Sequence, residues 1–354
     1  MAVRYIGSKA RLADAILDII GAPNGPDGRF VDVFCGTGVV SCKAAELGWN
    51  VWANDSLLSS VLMTKASLFA KDCLDFSAFG NYENAVSLLN GLKETQGFIW
   101  QQYSPASKYF CEVERRYFTE PNAAKIDSIR LQIRKWYTDG LIGANESDLL
   151  IADLIGSANA VANIAGTYGC FLKKWTKQAE RTLNIVPRTL AEHSLNLLFT
   201  TSDALQLEAD PLDVAYLDPP YTKRQYSSYY HIPETIAYYD EPSVHGVAGL
   251  RPWKSLASPF CYKNKALASI INCIDNLGSK TVYLSYSSQG HVSLDDLVIG
   301  LAYLGKVTVH ELGEIGRYRP NSEAVKSGSS VCEYLIQLDR SGRGLSKNDS
   351  SSHS

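Results

Sequence analysis

Residues 30–34, Phe-Val-Asp-Val-Phe, form a short apolar, β-rich run that stops at Cys35-Gly36-Thr37-Gly38, after which good helix formers lead to Leu47 and Gly48. Trp49-Asn50-Val51-Trp52-Ala53 then reads as a second strand, its end carrying Asn54-Asp55, and a helical stretch runs from Ser56 to about Ala70. Strand, glycine turn, helix and strand in that order make a β-α-β unit with parallel strands. The chain is thereby committed to an α/β fold.

From about 76 to 190 the pattern changes to long helical periodicity with few strand signals. Asn122 is placed to cap a helix in which Ile126, Ile129, Ile133 and Trp136 recur at spacings of three and four, with Gly140 to end it. A second helix is predicted over about 146–165. Strand-type runs return at 196–200, 214–217, 282–285, 306–310 and 331–338, with helices near 264–277 and 293–302. The expected architecture is a doubly wound, mostly parallel sheet built from 1–75 and 191–339, interrupted by a mainly helical insertion over 76–190. Residues 340–354, rich in Ser, Gly, Arg, Lys and Asn, cannot bury apolar surface and are expected to form a disordered tail.

The sharpest chemical signal is Asp218-Pro219-Pro220-Tyr221, directly after the apolar run Val214-Ala215-Tyr216-Leu217. From average composition this tetrapeptide arises by accident in a chain of this length on the order of once per thousand sequences. It places a carboxylate and an aromatic ring at the C-terminal edge of a strand, where open α/β sheets bind ligands. Two prolines stiffen the turn and remove two donors. An adenine amino group is a poor nucleophile because its lone pair is conjugated with the ring. A carboxylate and a backbone carbonyl accepting its two protons would localise that lone pair, and Tyr221 could stack on an extruded base for about 1–3 kcal/mol.

With these residues in view, the chain resembles an adenine-N6 DNA methyltransferase of the Dam-like alpha group, through most of residues 3–338. That resemblance implies a methyltransferase-type fold, S-adenosylmethionine as cofactor, and transfer of a methyl group to a flipped-out adenine in double-stranded DNA without a covalent intermediate or a metal. It implies catalytic roles for Asp218, Pro219, Pro220 and Tyr221. Arg4-Tyr5-Ile6-Gly7-Ser8-Lys9 matches a short motif that closes over the methionine part of the cofactor, implicating Tyr5 and Lys9; by itself, Ser8 could equally cap a helix over 9–20. Asp32-Val33-Phe34-Cys35-Gly36-Thr37-Gly38 resembles the cofactor loop, with Phe34 against the cofactor and Gly36 and Gly38 admitting close approach. Ser41 stands where a dinucleotide site would want its third glycine. Asp55 is placed to accept from both ribose hydroxyls or to cap the helix that follows it, and Asp203 to accept from the cofactor's adenine or to serve as a turn aspartate. Arg224-Gln225-Tyr226 and Tyr230-His231-Ile232-Pro233-Glu234-Thr235 resemble an extension found in a subset of these enzymes, which would line the base pocket or touch DNA; alternatively His231 and Glu234 pair with each other.

A formal net charge of −3 gives no global attraction to nucleic acid, so DNA binding must rest on local patches. Arg115, Arg116, Lys125, Arg130, Arg134 and Lys135 are interleaved with acids and read as a solvated helix face. Over 161–190, Lys173, Lys174, Lys177, Arg181 and Arg188 face only Glu180, with Tyr168, Phe171 and Trp175 interleaved, and form the best phosphate-binding stripe. In the alpha group the target-recognition region lies between the cofactor half and the catalytic motif, which selects 76–190. Arg317, Tyr318 and Arg319 form a further polar-aromatic cluster.

Eight scattered cysteines without a C-x-x-C pair signal neither a zinc site nor a disulfide framework, and buried free thiols are expected. No secretory signal and no apolar stretch of membrane-spanning length is read, so a cytoplasmic enzyme of prokaryotic or phage type is expected, a monomer or weak dimer. It would stand alone or belong to a type II restriction-modification system beside a separately acting restriction endonuclease. An RNA or other N-methyltransferase, and a catalytically silent DNA-binding relative, are the competing readings.

Overall fold

The structure, a computed structural model, describes residues 6–25, 27–315 and 331–342. Along the chain run α1 (Ala13–Ile20), β1 (Arg29–Asp32), α2 (Val39–Glu46), β2 (Asn50–Asp55), α3 (Leu58–Leu68), α4 (Tyr82–Asn90), α5 (Phe98–Tyr103), α6 (Glu120–Thr138), α7 (Ala144–Val161), β3 (Leu197–Thr201) and β4 (Val214–Leu217). There follow α8 (Tyr226–Tyr229), α9 (His231–Tyr238), α10 (Ala266–Leu277), β5 (Thr281–Ser287), α11 (Leu294–Ala302), β6 (Lys306–Ile315) and β7 (Val331–Asp339). Among the described residues the strands form a seven-stranded sheet in the order β3-β2-β1-β4-β5-β7-β6, in which β7 alone runs against its neighbours. The strands before and after the helical block therefore share one sheet, as the sequence predicts.

The period-two alternation of the strands explains why both faces are covered. Val31, Ala215, Leu217, Val282 and Leu284 point to one face, under α10 and α11. Phe30, Val51, Tyr216 and Tyr283 point to the other, under α1 and α2. Chain order runs outward from β1 through β2 to β3 and then returns to β4 on the opposite side of β1. That reversal opens a crevice at the C-terminal ends of β1 and β4, the place where doubly wound sheets bind ligands.

The helical layer is built on a third apolar cluster that draws on more than the insertion. It takes Leu62, Met63 and Ala66 from α3 and Tyr230, Ile232, Ile236 and Ala237 from the segment after the Asp218–Tyr221 turn, together with Ile126, Ile129, Ile133, Leu149 and Leu154. Helix α6 begins one residue after Thr119, whose hydroxyl accepts from Asn122 N, with Pro121 in the first turn. Asn122 is thus no cap. It is buried, takes Leu183 N–H on its carbonyl oxygen and donates to the carbonyls of Ala179 and Arg181. Helix α7 ends at Val161, so the stretch from Asn163 onward is a loop. Its organiser is Asn163, which donates to the carbonyls of Arg116 and Leu172 and accepts from Thr176 N.

Of the six cations read as a solvated face, Arg115, Lys125 and Arg130 are instead buried in the layer and Arg116 is half-buried, whereas Arg134 and Lys135 are exposed as expected. Arg115 is buried against the carbonyls of Gln102, Gly246 and Val247, Lys125 donates to Asn90 O and Leu92 O, and Arg130 holds Ile236 O and Ala237 O at the end of α9. Arg116, Arg134 and Lys135 reach Glu114, Tyr239 O and Asp139. The carbonyls at a helix end need donors, and a helix packed across that end supplies them. All eight cysteines are unpaired; Cys35, Cys261 and Cys273 are buried, four are half-buried and Cys170 is exposed, so full burial holds for three only. Arg340 is buried, donating to Ile274 O, and residues 343–354 lie outside the described part. Among the described residues no helix is long and apolar enough to cross a membrane.

Candidate active site

Three strands end in carboxylates at the crevice: Asp32 on β1, Asp55 on β2 and Asp218 just past β4. Asp32 Oδ2 accepts from Ser41 Oγ at 2.6 Å, while its buried Oδ1 has no hydrogen-bond partner among the described residues. Burial, against the bond from Ser41, pushes its carboxyl up to about 7, with Asp218 and Asp55 adding repulsion. Asp55 Oδ2 accepts from Gly36 N at 3.0 Å and Oδ1 from Leu57 N at 3.0 Å, and burial raises its carboxyl to about 6. This aspartate therefore pins the glycine turn to the end of β2. It does not cap α3. The first amides of that helix, Leu58 and Ser59, donate to the two carboxylate oxygens of Glu234 at 3.0 and 2.9 Å.

Gly36 and Gly38 adopt φ of +54° and +78°, conformations that favour glycine. Gly36 lines the crevice, but Gly38 serves a different end: a Cβ there would stand 2.8 Å from the Thr64 side chain. Phe34 lines the crevice and meets Phe260 edge-on with centroids 5.3 Å apart. Asp203 is exposed and receives Leu205 N at 3.0 Å, capping a short turn after β3. It is not among the residues lining the crevice.

At the Asp218–Tyr221 turn, Lys9 Nζ lies 3.0 Å from Asp218 Oδ1 and 5.3 Å from the centroid of the Tyr221 ring. Burial raises the Asp218 carboxyl and the Lys9 ammonium pulls it back. Burial alone would lower the Lys9 pKa; Asp218, Tyr221 and Glu333 hold it above the usual lysine value. Tyr221 packs against Tyr286, and its carbonyl accepts from His291 N at 2.9 Å. Ile6, Gly7, Ser8 and Lys9 line the same crevice. They are sewn to the segment after the turn by Ile6 N to Tyr230 Oη at 2.7 Å and Tyr226 Oη to Ile6 O at 3.2 Å. Ser8 does not cap α1, whose first amides, Leu12 and Ala13, turn back to Lys9 O. Tyr5, Arg317 and Arg319 lie outside the described residues.

Gln225 and Tyr226 line the crevice, but His231 and Glu234 do not touch it or each other. His231 is fully buried with Nε2 2.9 Å from Tyr168 O, and burial drives its pKa down to about 3. Lys173, Lys174, Lys177, Arg181 and Arg224 are exposed and form no ion pair among the described residues. Arg188, counted in the same stripe, is committed elsewhere: its Nε lies 2.5 Å from buried Asp153. Tyr168 is also core, and Phe171 packs half-buried on Tyr117.

Two features escaped the sequence reading. Residues 242–274 contain no acid, and this stretch carries exposed Lys254, Lys263 and Lys265. Its Leu256 and Ser258 line the crevice, and Ser258 exchanges two hydrogen bonds with Gln225. An acid-free window was the available signal. Glu333 on β7, 3.6 Å from Lys9 Nζ, gave none, because a lone glutamate in a late strand carries no pattern.

The family model for D12-class N6 adenine-specific DNA methyltransferases matches residues 5–298. The type II methyltransferase M.FokI of Planomicrobium okeanokoites is 33% identical over 96% of this chain and 53% of its own length. The modification methylase StsI of Streptococcus sanguinis is 31% identical over 98% and 53%, and the type II methyltransferase M.NlaIII of Neisseria lactamica 30% identical over 96% and 99%. The chain thus spans about half the length of the first two, at 53% each.

Proposed function

Because the chain belongs to the D12 class of N6 adenine-specific DNA methyltransferases, we propose that it methylates N6 of an extruded adenine in double-stranded DNA with S-adenosylmethionine as donor. The observation that carries this is the placement of Asp218 and Pro220 in the crevice where the strand order reverses, at the end of β4 and beside β1, with the Tyr221 ring 5.3 Å from Lys9 Nζ, which lines the same crevice. The names of the relatives place them among modification methylases, and a separately acting restriction endonuclease fits that setting.

The cofactor would supply an electrophilic methyl group on a sulfonium. The lining suits it: Asp32 Oδ1, buried without a hydrogen-bond partner among the described residues, and Asp55 and Phe34 lie on the β1–β2 side of the crevice. Asp203 lies off the crevice, which weakens its assignment to the cofactor's adenine. On the β4 side the Asp218 carboxylate would accept a hydrogen bond from one amino N–H and the Pro219 carbonyl from the other, so the lone pair of N6 turns toward the methyl. The methyl–sulfur bond would break with its electrons left on sulfur as a neutral thioether, and the surplus proton of N6 would pass to the Asp218 carboxylate and on to solvent. Tyr221 holds the ring, and its burial against Tyr286 fixes the plane on which the base stacks.

DNA would lie across two basic edges. One carries Lys173, Lys174, Lys177 and Arg181 of the helical insertion, our candidate for target recognition. The other carries Arg224 and the lysines Lys254, Lys263 and Lys265 of the acid-free stretch from which Leu256 and Ser258 line the crevice. Asp218→Ala is expected to abolish methyl transfer to DNA lacking adenine methylation while leaving cofactor binding, read by calorimetry, largely intact. Unchanged transfer would end this assignment.

A further inference from the structure

The ammonium that meets the catalytic carboxylate is shared with a second one. Lys9 Nζ lies 3.0 Å from Asp218 Oδ1 and 3.6 Å from Glu333 Oε2. Lys9 and Glu333 are both buried, and Glu333 Oε2 accepts no hydrogen bond among the described residues. Glu333 arrives on β7, opposite Ser287 of β5, and none of the steps above requires it. A third buried charge beside an already matched pair is costly unless something compensates it.

Lys9 fills both places that a target base needs, as the ion-pair partner of Asp218 and as a group over the Tyr221 ring. When the base enters, the ammonium must withdraw from Oδ1, or it keeps part of the carboxylate's charge and weakens the acceptor. An ammonium withdrawn into a buried space without a counter-charge would be strongly disfavoured. We propose that Glu333 is a positioning residue that receives Lys9 as the target base enters, releasing Asp218 to accept from the amino group. Lys9 stays protonated and both carboxylates stay ionised, so the exchange moves an ion pair and no proton. The inference rests on the methylation reading of this site.

The test uses the full chain and a duplex carrying the sequence that the unaltered protein methylates, with 2-aminopurine replacing the target adenine in one arm. Glu333→Gln keeps the shape and removes the charge. The single-turnover rate at saturating cofactor should fall by at least about tenfold, and the fluorescence gain that reports an unstacked 2-aminopurine should shrink. Cofactor affinity should hold, and Glu333→Asp should recover part of the loss. The deciding arm repeats Glu333→Gln in a Lys9→Gln background, with fluorescence as the readout whether or not that background turns over. A residue acting only through Lys9 has nothing left to act on, so no further loss is expected there. Equal losses in both backgrounds overturn the inference, as does a lowered melting temperature with base extrusion unchanged. If the unaltered protein methylates no DNA, the underlying reading falls and takes the inference with it, and this shows before any variant is compared.

Discussion

The helical layer holds two stretches of basic side chains that look alike as strings and face opposite ways. Over 115–135, Arg115, Lys125 and Arg130 are buried against carbonyls, and Arg130 and the more exposed Arg134 stack on Tyr239 at the end of α9, with centroid distances of 5.6 and 5.2 Å. Over 173–181, Lys173, Lys174, Lys177 and Arg181 point to solvent with no ionic partner among the described residues. The difference follows from what each stretch is. The first lies largely on a helix packed against α5 and α7, with Arg130 reaching the carbonyls at the end of α9, where a helix end needs donors. The second lies on a loop beyond α7 that is pinned by Asn163 and leaves its long side chains outside. Inward cations should therefore govern stability, and outward ones the grip on DNA.

The largest effect expected from breaking that division is at Arg188, inward although it belongs by sequence to the outward stripe. Arg188→Ala removes the counter-charge of buried Asp153 and leaves it the Tyr82 hydroxyl as a donor, and should cost about 3–5 kcal/mol in urea unfolding. A cost near zero would place Arg188 with the lysines. His231 extends the same idea to pH. Its folded pKa, depressed to about 3 from an unfolded value of 6.5, gives stability that is present above 6.5 and lost as the pH falls toward 3. Between those limits the protein should lose on the order of 4 kcal/mol more than His231→Asn, and parallel pH curves would show that the ring is not held neutral. Arg130→Ala leaves two carbonyls of α9 without their donor and should cost about 1–3 kcal/mol in the same assay. It should not alter the salt dependence of DNA binding. The smallest stability effect belongs to Lys173→Ala, Lys174→Ala and Lys177→Ala combined. Their unfolding midpoint should not move, while the slope of log affinity against log salt falls by about 2 to 3. An unchanged slope would shift the contact surface to Lys254, Lys263 and Lys265.

The catalytic side was legible for a local reason. Asp218-Pro219-Pro220-Tyr221, the turn 35–38 and Asp55 each sit at the end of a strand that is itself written in adjacent residues, so motif and scaffold are read together. The helical side was read in outline only. Its helices came from periodicity, but Asn122, Glu234, His231 and Arg188 were misassigned because their partners lie far away in the chain, as Glu234 does from Leu58 and Ser59. Glycine spacing likewise marked Gly38 as special, but Thr64, which explains it, was out of sight.

By itself, then, the sequence determined the strand-helix order, the glycine turn and the carboxylate-aromatic turn, because periodicity and turn chemistry act over a few residues. Tertiary structure alone decided which charges meet. Lys9, Asp218 and Glu333 come from the start, the middle and the last strand, and they converge only because the sheet brings β4 next to β5, sets β7 against it, and folds the N-terminal segment over both. An ion pair acts through space over a few ångströms and leaves no period along the chain.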